Sequence, residues 1–455
     1  MKKTIIFSMV VVFVFSIIYM GIGCKEPEVV VETVTETVTE TVEVEAEEEE
    51  SAAEKAGLGS ELTVLSHRFP ATEYYVNKMS EVEGVVVART LMPHDKIMQI
   101  ARINLMDPVG AYDILFTDDF QLREYAIQGY LEPLEGYIEE YNDEYELDQI
   151  PESLWNNASY DGHIYNIPFG TNIQELFYRP DILDIYGMDV PTTTDELLAA
   201  AKKLYEESNG EVLVGMTMKP GDGMINEFTS YLHAFGGEWY NKDLTPAFNS
   251  EAGLNALNFM IELYQYAPKE SISWGNDEAL IAVQNGDIAI INQWNTRAVQ
   301  TDDPERSQIV GLMQYAPSVV VPGIDIPAVR MATWGYSIPA NAPEDKDLIF
   351  NVLAQASNYD NQVGALDLTN PTRTVIGEME AELLQQDKYR FLPAALENAA
   401  SGAKGISYSP YFTLLSDDIC VRLAQAVTGE ITAEEALKQA EEGALDRLKQ
   451  EGVVQ

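Results

Sequence analysis

Beyond residue 60 the chain alternates between short apolar runs and longer segments whose apolar residues recur every three to four positions. The short runs predict strands at residues 61–66, 85–88, 111–116, 286–291 and 333–339. The longer segments predict helices over 71–80, 95–101, 120–128, 191–204, 224–235, 250–266, 278–285, 346–356 and from 416 onward. Thr432-Ala433-Glu434-Glu435 reads as a capping box opening the last helix. Strands alternating with helices predict an α/β chain with a mainly parallel sheet and ligand loops at the strand carboxyl ends. Thr117, Asp118 and Asp119 fall at such an end.

Residues 160–181 depart from this alternation. Asp161-Gly162 signals a tight turn. An apolar and aromatic run from His163 ends at Pro168-Phe169, where the proline removes a ladder donor. Gly170-Thr171-Asn172 is a polar, permissive step before a second β-rich run at 175–178. The pattern predicts two short strands joined by a bend, either a local hairpin or a crossing between two bodies.

The first 59 residues differ from the rest. Met1-Lys2-Lys3, an almost wholly apolar run over 5–20 and Gly21-Ile22-Gly23-Cys24 have the layout of a signal peptide. An uncleaved anchor is the alternative, although the run falls short of the ~20 residues a spanning helix needs. Residues 25–59 repeat Glu, Thr and Val, run into Glu47-Glu48-Glu49-Glu50 and contain no aromatic residue, so they read as a disordered, charge-extended spacer.

The 455 residues carry 28 Lys and Arg against 74 Asp and Glu, a net charge of −46. That balance argues against nucleic acid and anionic membrane surfaces as partners. The two cysteines, Cys24 and Cys420, are not expected to pair; Cys420 sits in a helical pattern as a small buried residue. Four scattered histidines give no metal-ligand spacing, and G-x-S-x-G, H-E-x-x-H and C-x-x-C are absent. A glycosidase would need two facing carboxylates, and Asp118 and Asp119 have no evident partner. The sequence therefore predicts no enzyme, no metal and no cofactor.

Four segments together resemble the extracellular solute-binding proteins of ABC importers, in the branch that includes maltose-binding protein. They are YDILFTDDFQLREYAIQGYLEPL (112–134), the stretch 160–181, NGDIAIINQW (285–294) and WGYSIP (334–339). TGEITAEEALKQA (428–440) is similar to the family's closing helix, and the leader resembles a lipobox with Gly21 where leucine is usual. The resemblance implies a two-lobed periplasmic-binding fold, each lobe a mainly parallel sheet flanked by helices, with the ligand cleft between them. It divides the chain into a signal peptide (1–23), a lipidated Cys24 with its spacer (24–59), a first lobe (60–171 plus 335–402) and a second lobe (172–334 plus 403–455). Crossings would fall near 170–173, 334–337 and 401–405. The implied function is capture of a carbohydrate outside the cytoplasmic membrane by a lipid-anchored monomer and its delivery to permease subunits. A non-sugar solute, such as a polyamine, a peptide or a polyol phosphate, is the alternative.

A sugar site needs flat aromatic platforms and groups that bond hydroxyls. Trp239, Trp294 and Trp334 are the platform candidates, whereas Trp155 and Trp274 read as packing. Asp118, Asp119 and Asn292 are hydroxyl-binding candidates at strand ends. The resemblance adds Asn172 at a crossing, and Tyr408 and Tyr411 around Ser409-Pro410; Arg373 is a further candidate near the cleft, with a surface ion pair as the alternative.

Overall fold

The computed structural model describes residues 60–373, 386–402, 405 and 410–454. The leader, Cys24, the acidic spacer and Tyr408 lie outside the described residues. Ser60–Gln455 form one unit by their internal contacts.

Eight strands make the main sheet: β1 (Ser60–His67), β2 (Val85–Met92), β3 (Ile114–Asp118), β4 (Ile167–Tyr178), β5 (Leu213–Val214), β6 (Ile288–Trp294), β7 (Gln314–Ala316) and β8 (Met331–Ser337). Their order is β2-β1-β3-β8-β4-β6-β5, with β7 also on β4. The main helices are α1 (Pro70–Met79), α2 (His94–Met106), α3 (Asp119–Ile127), α4 (Glu135–Tyr145), α5 (Thr194–Glu207), α6 (Asp222–Ala234), α7 (Glu251–Tyr264), α8 (Asn276–Asn285), α9 (Lys346–Ala356), α10 (Leu392–Ala400), α11 (Phe412–Val427) and α12 (Ala433–Gln450). Local chemistry sets several of their starts. Thr193 and Glu196 close a reciprocal capping box on α5, and the Thr432 hydroxyl accepts from Glu435 N at 3.2 Å on α12.

The sheet is mixed. β1 pairs in parallel with β2 and β3, and β5 with β6. β8 is antiparallel to β3 and β4, and β4 to β6 and β7. The antiparallel pairs arise because β4 carries the chain from one sheet region to the other and β8 carries it back. The stretch expected as two strands and a bend is instead one 12-residue strand, β4. Pairing with β8 on one side and β6 on the other holds its polar step extended. Pro168 is tolerated where the β4–β8 register shifts, opposite Gly335. Side chains would not fit here: a Cβ on Gly170 would collide with Thr369 Oγ1, and one on Gly335 would sit 2.5 Å from Asn166 Cγ.

Two large cores flank the crossing strands. One gathers Leu62, Val64, Phe116, Phe169, Tyr336 and Phe350. The other gathers Phe228, Trp239, Phe248, Met260, Leu423 and Leu437. β4 serves both regions: Ile167 and Phe169 lie in the first core, and Leu176 in the second. A smaller cluster under β6 holds Phe177, Ile291 and Phe391.

Candidate functional site

A cleft of about 810 Å³ opens where the ends of β1, β3 and β6 and the middles of β4 and β8 meet the N-termini of α2, α6, α8 and α11. One wall carries His67, Phe69, His94 and Asp118; the other carries residues 219–223, 275–278, Phe412 and Asp417. Asn172, Trp294, Thr296, Arg297, Arg330 and Trp334 form the floor near the crossings. The size and the mix of aromatic and polar groups suit a small solute.

The aromatic part is interlocked. Phe69 meets Trp334 edge-on at 5.5 Å between centroids and stacks with His67 at 5.7 Å. Trp334 also packs against Phe116 at 6.1 Å. Trp294 is 5% and Trp334 8% exposed, and both border the cleft. The Arg330 guanidinium lies 5.5 Å above the Trp294 ring.

The polar groups are held by their neighbours. Asp118 ends β3 and N-caps α3, where its Oδ1 accepts from Gln121 N at 3.1 Å. Its Oδ2 lies 3.0 Å from His94 Nε2. Burial alone would lower the His94 pKa, but the Asp118 bond and charge, with the charge of Asp222 across the cleft, outweigh it and raise the pKa above its ordinary value. His67 goes the other way: burial, then the nearby His94 and Arg297, hold it well below the usual imidazole range. Asn172 Oδ1 accepts from Thr296 Oγ1 at 3.0 Å. Arg330 donates to Asn226 Oδ1 at 2.8 Å and to Asp119 Oδ1 at 3.2 Å.

The structure sorts the sequence candidates. Asp118, Asn172, Trp294 and Trp334 border the cleft. Asp119 lies behind it, buried against Arg330 and accepting through its carbonyl from Arg123. Burial raises the Asp119 carboxyl pKa while Arg330 opposes the rise, and the 3.2 Å bond makes Asp119 a partner of that arginine behind the cleft. Trp239 does not reach the cleft. It is 0% exposed, donates to Thr229 Oγ1 at 2.9 Å and packs at 5.2 Å behind Phe412. The turn at Gly236-Gly237 folds it back into the core instead of outward. Asn292 also faces inward, donating to the Ala328 carbonyl at 2.7 Å. It shares a strand face with Trp294, two residues on, but the bond to Ala328 ties its amide to the chain beside β6 before the cleft is reached. Arg373 is a structural clamp, donating to the carbonyls of Ser357, Tyr145 and Glu146 at 3.1, 3.0 and 2.8 Å. Tyr411 is half-buried against the second core, one residue before Phe412, which borders the cleft. Trp155 and Trp274 pack against cores.

Sequence reasoning missed His67, Phe69, His94, Arg297, Arg330 and the loop Lys219-Pro220-Gly221-Asp222-Gly223. A signal existed for two of these. His67 directly follows a predicted strand, and Pro220-Gly221-Asp222-Gly223 is a turn signal ahead of a predicted helix. Nothing local marked the arginines.

Solved structures share this architecture. A solute-binding protein of an ABC transporter from Agrobacterium radiobacter K84, in complex with ribitol, aligns with a TM-score of 0.76 at 22% identity, covering 85% of this chain and 98% of that one. Maltose-bound MalE3 of T. maritima aligns at 0.73 and 23% identity, covering 86% and 100%. The fold is therefore the two-lobed periplasmic type. The mannitol-binding protein of Pseudomonas aeruginosa is 23% identical over 364 residues, 75% of this chain and 82% of its own length. The model of the bacterial extracellular solute-binding protein family matches residues 85–356, more than half of the sequence, and the chain belongs to that family.

Proposed function

We propose that this chain captures a sugar or sugar alcohol outside the cytoplasmic membrane and delivers it to the permease of an ABC importer. The observation that carries this reading is the pairing of Trp294, Trp334 and Phe69 with Asp118, Asn172 and Arg330 around one cleft of about 810 Å³. Flat apolar rings receive C–H faces, and the polar groups bond hydroxyls. Relatives that bind mannitol, ribitol and maltose by their names support the ligand class.

The lobes would be 60–171 plus 335–402 and 172–334 plus 403–455. The separation of the two large cores supports this division, with Trp294, Ala332 and Trp334 joining the first core at the crossing. Bound solute favours closure to the extent that it binds the closed arrangement better than the open one. β4 and β8 would carry the hinge at their register shift. The chain itself performs no chemistry and works as a monomer.

A thermal-shift screen of the purified full-length chain against sugars, sugar alcohols, polyamines and peptides tests the ligand class. A true ligand at a hundred times its Kd adds about 2.7 kcal/mol. A polyamine or peptide hit with no sugar or polyol hit overturns the reading. The exported chain would be held at the membrane through lipid on Cys24, so Cys24→Ala moves it to the soluble fraction on cell fractionation; retention at the membrane rejects the anchor.

A further inference from the structure

The cleft is electrostatically unlike the rest of the molecule. The chain carries 28 basic against 74 acidic residues. The cleft lining holds five Lys or Arg against five Asp or Glu. Moreover, four of the acids stand at helix starts, and three of the cations keep side-chain N–H groups that bond nothing among the described residues.

Four acids occupy first turns or caps, Asp277 in the first turn of α8 among them, where the helix dipole takes up negative charge. Asp118 caps α3 and bonds His94. Asp222 is the first residue of α6 and accepts from Asn276 Nδ2 at 2.9 Å. Glu278 accepts from Gly275 N at 2.9 Å at the start of α8. By contrast, the Lys219 ammonium has no hydrogen-bond partner among the described residues, and Arg68 reaches only the Leu91 carbonyl, at 2.8 Å. Arg297 is the central case. It is 9% exposed and lies 5.7 Å over the Phe69 ring. It spends Nη1 on Asp277 at 2.8 Å, and the Asp277 side chain is 84% exposed, which leaves the pair open to solvent screening. Its other guanidinium N–H groups bond nothing among the described residues. The buried His67 Nδ1, near Arg297, also has no hydrogen-bond partner among the described residues.

A buried planar fork with unused donors matches a two-oxygen anion. We propose that the solute is a carbohydrate acid whose carboxylate is received by Arg297, with Arg68 on one wall and Lys219 on the other. This rests on the carbohydrate reading and narrows it. The aromatic floor takes the sugar face, and the arginine reads the acid.

Calorimetric titration of the full-length chain with matched pairs tests it: D-galacturonate against D-galactose, and D-gluconate against D-glucitol. The acid of at least one pair binds tenfold or more tighter than its neutral partner. Arg297→Gln brings that ratio close to one. Should that variant fail to fold, Lys219→Gln at an exposed position serves instead and lowers the ratio two- to fivefold. Neutral members binding as tightly as the acids overturn the proposal and leave the carbohydrate reading standing. No response to any of the four, with a response to another solute class, overturns both.

Discussion

On the wall built from β1, α2 and β3, the side chains hold one another. His67, Phe69, Phe116 and Trp334 form a continuous aromatic contact, and His94 and Asp118 are bonded at its rim. On the facing wall, Lys219, Asp222, Asp277 and Glu278 stand at helix starts with most of their length toward solvent. The first wall is fixed by packing before any solute arrives. The second is set by backbone caps and by charge. Under the proposed reading, shape recognition belongs to the first wall and the floor, and charge recognition to the second wall together with the arginines.

Removing shape should cost most. Trp334→Ala takes a buried ring from contact with Phe69 and Phe116, with an expected loss of about 3–5 kcal/mol in folding stability and more than tenfold in solute affinity. Trp239→Ala should lose similar stability and leave the affinity of the folded fraction unchanged. Urea unfolding and calorimetric titration of both variants check this. Equal affinity losses would erase the distinction between cleft and core tryptophans.

A smaller effect tests whether the walls are coupled. His94 belongs to the first wall, yet it feels Asp222 on the second. Its folded pKa is raised, so the stability it contributes is fully present below the unfolded value of 6.5 and is lost as pH rises through the folded value. His94→Gln should therefore destabilise by about 1 kcal/mol at pH 5.5 and by progressively less toward pH 9. If Asp222→Asn flattens the same pH profile, the coupling crosses the cleft; if only Asp118→Asn does, the first wall stands alone. The smallest expected response is the two- to fivefold change at exposed Lys219, which touches charge and leaves shape intact.

The order of elements was legible in the sequence. Helices α9 and α12 and strand β1 lie where periodicity and capping place them, because these are short-range properties of the chain. The central stretch was legible as a crossing but not as one unbroken strand. Its extension depends on β6 and β8, which lie over a hundred residues later in the chain.

The site was legible only in part. Trp294 and Trp239 both follow turn or strand-end signals, yet one borders the cleft and the other is sealed behind Phe412. Arg373 and Arg297 look alike in composition, but the first holds three backbone carbonyls away from the cleft and the second borders the cleft over Phe69. The amino-acid sequence by itself determined the α/β alternation, the helix caps and the family pattern, since each depends on residues a few positions apart. Tertiary structure alone decided which aromatic and charged groups border the cleft, because burial and bond satisfaction depend on partners brought together from distant parts of the chain.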